Sequence, residues 1–267
     1  MLHNSIIEIT KTLQAEFGLT PIVASEIEFY LHGGAPDENF WAALVDACKQ
    51  ESIPLLKYEK EKGEKQYEIA LAPTSAQKCA NDTKLVKQLI SDLAIKNNMK
   101  ADFSAKPLVE QPGSGLHINV HLENDAGKNV FYKKDDIISD TLKFSIGGLL
   151  DRLPASMYIF APSESSYARF TDKSNAPTTI SWGANNRTVA IRLPDSAPDK
   201  KRIEHRVAGA DAHPDAVIVA ILAGIHHGLT NRISPPPQIY GDASLEMYNL
   251  QKLPQSLVEA SKLIKHA

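Results

Sequence analysis

Four stretches of this chain carry polar side chains at a two-residue spacing. In Ser25-Glu26-Ile27-Glu28-Phe29 two carboxylates alternate with apolar residues. Leu116-His117-Ile118-Asn119-Val120-His121-Leu122 alternates three polar groups with four aliphatics. Gln66 and Glu68 flank Tyr67, and in Arg202-Ile203-Glu204-His205-Arg206 two arginines flank a glutamate. Strand side chains repeat every two residues, so each stretch, as a strand, has its polar groups on one face. Any one of them alone is an ordinary solvated strand face. Glu and Asp are poor strand formers, however, and four such strands side by side would make a surface dense in carboxylates. Like charges at such range repel strongly unless compensated, and divalent cations are the natural compensation. Oxygen ligands with an occasional His suit Mg²⁺ or Mn²⁺ better than zinc. Arg187, Arg192, Arg202 and Arg206 would meet an anion with planar oxygens, a phosphate or a carboxylate. Cations and arginines around a phosphate are the parts of phosphoryl transfer. No Walker-type loop and no dinucleotide fingerprint is present. The residues alone therefore imply a metal-dependent site for a phosphorylated ligand.

The elements that must position these groups follow from periodicity. A helix is expected over residues 4–18, opened by the capping-box pattern Ser5-Ile6-Ile7-Glu8 and carrying Ile9, Leu13 and Phe17 at helical spacing. Pro21 to Leu31 alternates as a strand. Pro36 starts a second helix through Ser52, with Phe40, Leu44 and Cys48 on one stripe. Further strands are expected at Tyr67–Leu71, Gly115–Leu122, Thr178–Trp182, Thr188–Leu193 and Arg202–Val207. Helices are expected at Asn81–Asn97, Asp136–Leu150, Pro214–Leu229 and Gln255–Lys265, and residues 160–177 read as a structureless, functional loop. The order lacks regular βαβ alternation. It predicts an α+β fold: a largely antiparallel, curved sheet with helices packed on its outer face.

Composition bounds the function class. The 267 residues carry 29 Lys and Arg against 32 Asp and Glu, a net charge of −3, with no basic block. Nucleic acid and anionic membranes are therefore not expected partners. The longest strongly apolar run, Val217 to Ile225, is too short to span a bilayer. Cys48 and Cys79 have no ligand spacing and read as reduced, half-buried thiols of a cytoplasmic protein, with no signal peptide ahead of them.

Six ordered motifs resemble those of the glutamine synthetase family, over roughly residues 5–260. They are Glu26-Ile27-Glu28-Phe29; Glu61 to Glu68; Lys106-Pro107 with Gly113-Ser114-Gly115-Leu116-His117; Ser166-Tyr167-Ala168-Arg169; Asn186-Arg187-Thr188 to Pro194; and Arg202-Ile203-Glu204-His205-Arg206. The resemblance implies one divalent cation held by Glu28, Glu61 and Glu68, with Glu59 and Glu64 close by in the same stretch. A second cation, again Mg²⁺ or Mn²⁺, would be held by Glu26, Glu204 and His117. It further implies that Arg169 and Arg206 grip the substrate carboxylate, that Gly113 and His117 lie beside it, and that Arg187, Arg192, Arg202 and Asn119 face ATP. The implied chemistry phosphorylates the side-chain carboxylate of L-glutamate or a close analogue. An amine then displaces phosphate to give an amide. Arg187, Arg192 and Arg202 would steady the developing charge, Arg187, Arg169 and Asn175 stand as the catalytic positions, and the protein needs no nucleophile of its own.

Three departures from the family pattern direct the reading. A family glutamate ahead of an Ala-Pro pair is here Asn175, which cannot be a carboxylate base at neutral pH. The chain starts just before the first catalytic strand. It is therefore expected to be a single catalytic domain, residues 1–267, lacking the family's N-terminal β-rich domain and the far C-terminal part. A homo-oligomer or a partner chain would then complete the site. The third departure is His117-x-Asn119, which resembles the branch that joins glutamate to polyamines and other amines. The expected activity is an ATP-dependent γ-glutamyl ligase for an amine other than ammonia. Glutamine synthetase proper and a catalytically silent, ATP- or glutamate-binding relative remain as alternatives.

Overall fold

The computed structural model describes residues 2–133, 138–170 and 176–263. Among the described residues, nine strands form one open sheet: β1 (Thr20–His32), β2 (Leu55–Lys60), β3 (Gln66–Leu71), β4 (Thr74–Ser75), β5 (Lys100–Asp102), β6 (Leu116–Glu123), β7 (Trp182–Ala184), β8 (Ile191–Leu193) and β9 (Ile203–His205). The main path runs β2-β3-β1-β6-β9-β8-β7, with β4 and β5 also pairing β1. Every pairing is antiparallel except β7 with β8. The expected α+β class with a largely antiparallel sheet is thus what the chain adopts.

One face of the sheet is apolar and buried by helices. Ile27, Phe29, Leu31, Ile69, Leu116, Ile118 and Ile203 point to that side and are almost wholly excluded from water. Against them pack α1 (Leu2–Phe17), α2 (Glu38–Gln50), α3 (Ala76–Lys96) and α4 (Asp140–Phe160), with α5 (Pro214–Asn231) against α1, α3 and α4, and α6 (Leu257–Leu263) on α4. Each fully buried aliphatic contributes about 1.5–3 kcal/mol relative to exposure, so this face dominates stability. It also fixes register, because a one-residue slip would send every apolar side chain to the wrong face. The other face of the same strands is left to the polar alternates.

The elements mostly match expectation, with local corrections. The first helix begins at Leu2, so Ser5 and Glu8 lie inside it instead of capping it. Helix α2 is capped by Asp37, whose side chain accepts from Phe40 N–H at 2.9 Å. Ser75 caps α3, which starts at Ala76, five residues ahead of the expected Asn81. The strand expected over Thr178–Trp182 is Trp182–Ala184, and Thr179 makes only an isolated bridge to Lys252. Within 160–177, Glu164–Arg169 is a 3₁₀ turn. Helix α4 runs on through Pro154 to Phe160, while the first residues expected in it, Asp136 and Ile137, lie outside the described residues. The edge strand β2 was not expected. Both cysteines are free and buried. Among the described residues, no helix is long and apolar enough to cross a membrane.

Candidate active site

Strand register carries the site. In the pairing of β1 with β6, Glu26 lies opposite His117, and in that of β1 with β3, Glu28 lies opposite Glu68. Asn119 of β6 faces Glu204 of β9, which in turn faces Arg192 of β8. Five strands distant in sequence thus put their polar alternates side by side. Glu61 is brought in by the β2–β3 hairpin, whose loop closes with Glu61 N–H donating to Gln66 O at 2.9 Å. Gly63 in that loop lies so close to Tyr30 that a Cβ would sit 2.1 Å from the phenol oxygen, so only glycine fits. Gly115 donates to Glu28 Oε2 at 2.7 Å, and a Cβ there would lie 2.8 Å from His117 Nε2.

The result is a cavity of about 250 Å³ lined by Glu26, Glu28, Glu61, Glu68, His117 and Glu204, together with Arg187, Arg192, Arg202 and Arg206. All six sequence-predicted metal-ligand candidates line it. Two groups in it can hold a cation. Ligand atoms of Glu28, Glu61 and Glu68, and those of Glu26, Glu68 and His117, lie within 4.8 Å of one another, so Glu68 is common to both. The donor set, carboxylates with one imidazole, suits Mg²⁺ or Mn²⁺. His117 Nδ1 is buried without a hydrogen-bond partner and faces Glu26 Oε2 at 3.7 Å and Glu204 Oε1 at 3.8 Å. An orphaned ring nitrogen between two carboxylates fits a metal ligand.

Electrostatics divides the cavity. Burial pushes Glu68 up, Glu26 and Glu28 push it further, and Lys57 only partly opposes them, so its carboxyl stands at about 8. Burial and Glu28 likewise raise Glu61. Burial alone would raise Glu26, but His117, Lys57 and Asn119 together outweigh it and hold its carboxyl at about 2. The opposite end is self-compensated. Glu204 accepts from Arg192 Nη1 at 2.6 Å and from Arg206 Nη1. These arginines and His117 overcome its burial and keep it below the usual carboxylate range. Glu204, expected among the ligands of the second cation, is therefore in the cavity but engaged by arginine.

The remaining sequence-predicted residues sit as follows. Asn119 donates to Glu26 Oε1 at 3.1 Å and accepts from Arg202 Nε at 2.9 Å, tying two expected ligand contacts into one network. It lies in an adjoining, more apolar cavity of about 640 Å³ that shares Glu26, Lys57 and Arg202 with the acidic one. Arg206 is 4% exposed, and its Nε is buried without a partner. Arg169 lies behind the cavity wall instead of in its lining. It donates to Val207 O at 2.7 Å and Arg206 O at 3.2 Å, and a Cβ on Gly113 would meet its Cγ at 2.8 Å. Gly113 O accepts from Gln66 Nε2 at 3.0 Å. Asn175 lies outside the described residues. Sequence reasoning missed Lys57, Glu59 as a wall residue, and Asn185, which accepts from Arg192 Nη2 at 2.7 Å. The signal for the first two was available: Lys57, Glu59 and Glu61 keep the same two-residue spacing as the other strands.

A family model described as glutamine synthetase, catalytic domain, matches residues 35–267. The chain belongs to the glutamine synthetase family. It is 36% identical over 257 residues to gamma-glutamylputrescine synthetase PuuA of Escherichia coli (strain K12), covering 84% of this chain and 54% of that protein. To glutamate–isopropylamine ligase of a Pseudomonas species it is 34% identical over 210 residues, covering 78% of this chain and 46% of that one. Glutamine synthetase of Thermotoga maritima shares 29% identity over 280 residues, covering 94% of this chain and 64% of that protein. The chain spans about half the length of the curated relatives it matches. A solved structure described as a GmaS/ADP complex superposes with a TM-score of 0.90 at 20% identity, covering all of this chain and 68% of that one. That likeness establishes the fold.

Proposed function

We propose that this chain carries the catalytic site of an ATP-dependent ligase that joins the γ-carboxylate of L-glutamate, or a close analogue, to an alkylamine or polyamine. The observation that carries the reading is the convergence of six far-apart ligand candidates and four arginines on one cavity. The likeness to two ligases named for putrescine and isopropylamine supports the choice of amine.

In this reading the γ-carboxylate attacks the terminal phosphorus of ATP, ADP leaves, and the amine displaces phosphate from the γ-glutamyl phosphate. Glu28, Glu61 and Glu68 would hold one divalent cation, and Glu26, His117 and Glu204 the second, with Glu68 within reach of both groups. When bound, the ions supply charge stabilisation of the transferring phosphoryl group. Arg187, Arg192 and Arg202 line the cavity and would meet phosphate oxygens. The adjoining 640 Å³ cavity, with Asn119 at its wall, has the size and apolar character for the nucleoside. Arg206, with its unpartnered buried Nε, would grip the substrate carboxylate, and Arg169, packed behind the Gly113 turn and bonded to Arg206 O, would brace it. As an amide, Asn175 could orient the amine but not deprotonate it. The chain would work as one catalytic domain, its amine side completed by a second copy or a partner polypeptide. Its buried free thiols suit a reducing, cytoplasmic setting.

The test is phosphate release from ATP with glutamate and a panel of putrescine, isopropylamine, methylamine and ammonium. Turnover dependent on both glutamate and an alkylamine, exceeding that with ammonium, is the expected result. Preference for ammonium would make the protein a glutamine synthetase. Metal-dependent ATP binding without turnover on any amine would make it a silent relative.

A further inference from the structure

Lys57 is aimed into the carboxylate cage by a distortion of the sheet. Along β2, Leu55 lies opposite Leu71, but the register then shifts so that Lys57 lies opposite Ala70 and Glu59 opposite Glu68. An unbroken ladder would have put Lys57 opposite Ile69, on the apolar face. The extra residue lets Leu55 stay against the core while turning Lys57 to the polar side, the way a β-bulge re-aims a side chain beside a site. The ammonium ends 2.5 Å from Glu59 Oε1 and 3.4 Å from Glu68 Oε1.

Its position is singular in a second respect. Among the described residues, Glu26, Lys57 and Arg202 alone line both the acidic cavity and the larger, more apolar one. A chain of phosphates reaching from the second cavity to the carboxylates must pass this junction, between the cations of Lys57 and Arg202. Lysine is a compact point charge on a flexible stem, so it can change partners. A divalent cation entering the group of Glu28, Glu61 and Glu68 competes with Lys57 for Glu68.

We propose that Lys57 is an exchangeable counter-ion and positioning residue: it balances Glu59 and Glu68 while the cage holds no metal ion, and turns to the nucleotide polyphosphate once an ion takes Glu68. The inference rests on the ligase reading. Two variants test it, Lys57→Gln and Lys57→Arg, with two binding measurements. One is Mn²⁺ alone by electron paramagnetic resonance, and the other is ADP in the presence of Mg²⁺ by calorimetry. Lys57→Gln is expected to bind Mn²⁺ more tightly than the native chain, its internal competitor being gone, and to bind ADP about tenfold more weakly, as for loss of one charge-assisted contact. Lys57→Arg, which keeps the charge, is expected to restore ADP affinity. A merely structural role for Lys57 at the sheet edge would weaken both ligands in Lys57→Gln, and that result overturns the inference, as does unchanged ADP affinity. If the native chain itself binds no ADP, the ligase reading falls and the inference with it. If the native chain binds ADP and Lys57→Gln binds it equally, only the inference falls.

Discussion

The two ends of the cavity solve the same problem differently. At the Glu204 end, a buried carboxylate is matched by Arg192 and Arg206 on its own and the neighbouring strand, and its pKa is lowered. At the Glu68 end, three carboxylates crowd together with one lysine at their rim, and the pKa values of Glu61 and Glu68 are raised. One end is finished by the protein. The other is left short of positive charge, and a fold keeps such an imbalance only where an external cation completes it or where function needs it. The comparison thus places the uncompensated carboxylates at one end and the carboxylate-paired arginines at the other.

The sharpest way to break this contrast is to neutralise the shared ligand. Glu68→Gln should lower kcat/KM at least about 10²-fold and weaken Mn²⁺ binding about 10–100-fold, while leaving melting in the ion-free state unchanged or raised. Steady-state kinetics and an Mn²⁺ titration check it. Unaltered Mn²⁺ binding would remove Glu68 from the cation site.

The opposite end should respond in stability. Glu204→Gln leaves the buried Arg206 guanidinium and the half-buried Arg192 without their carboxylate, and breaking a buried pair from one side costs about 3–5 kcal/mol. Thermal melting in Mg²⁺ should show a clear loss. A variant as stable as the native chain would mean that the arginines do not depend on Glu204.

The smallest effect is a pH slope. Glu68 has its ordinary value of 4.5 when unfolded and about 8 when folded without an ion, so the native state holds the extra proton between those values. Stability of the ion-free protein should therefore fall as pH rises from about 4.5 to about 8, because the native state must give up a proton that the unfolded chain has already lost. Mg²⁺ favours the ionised carboxylate and should flatten that slope. Melting temperatures across the range, with and without Mg²⁺, decide it, and Glu68→Gln should abolish the ion-free slope arising from this group.

Much of this was legible in the order of residues. Parity along single strands put Glu26 with Glu28, Gln66 with Glu68, and Arg202 with Glu204 and Arg206, because alternation is a local property of extended chain. The apolar alternates of the same strands announced the buried face. By contrast, β2 announced no buried face, although Lys57, Glu59 and Glu61 keep the two-residue spacing. Leu56 to Lys60 are all exposed on the sheet edge, so burial imposes no apolar alternation on them, and with β2 went Lys57 and Glu59. The start of α3 was also hidden, since its first turn is held by the Ser75 cap and not by a hydrophobic stripe.

The sequence by itself determined which side chains could do chemistry, on which face of each strand they stand, and the family they belong to. Tertiary structure alone decided which of them meet: that Glu68 is common to both cation-binding groups, that Glu204 is taken by Arg192 and Arg206, that Arg169 supports the wall from behind, and that a bulge turns Lys57 inward. The reason is physical. Spacing of two residues is written in the chain, but pairing partners and register are set by burying the far side of the sheet against the helices, and charge balance exists only once those strands lie together.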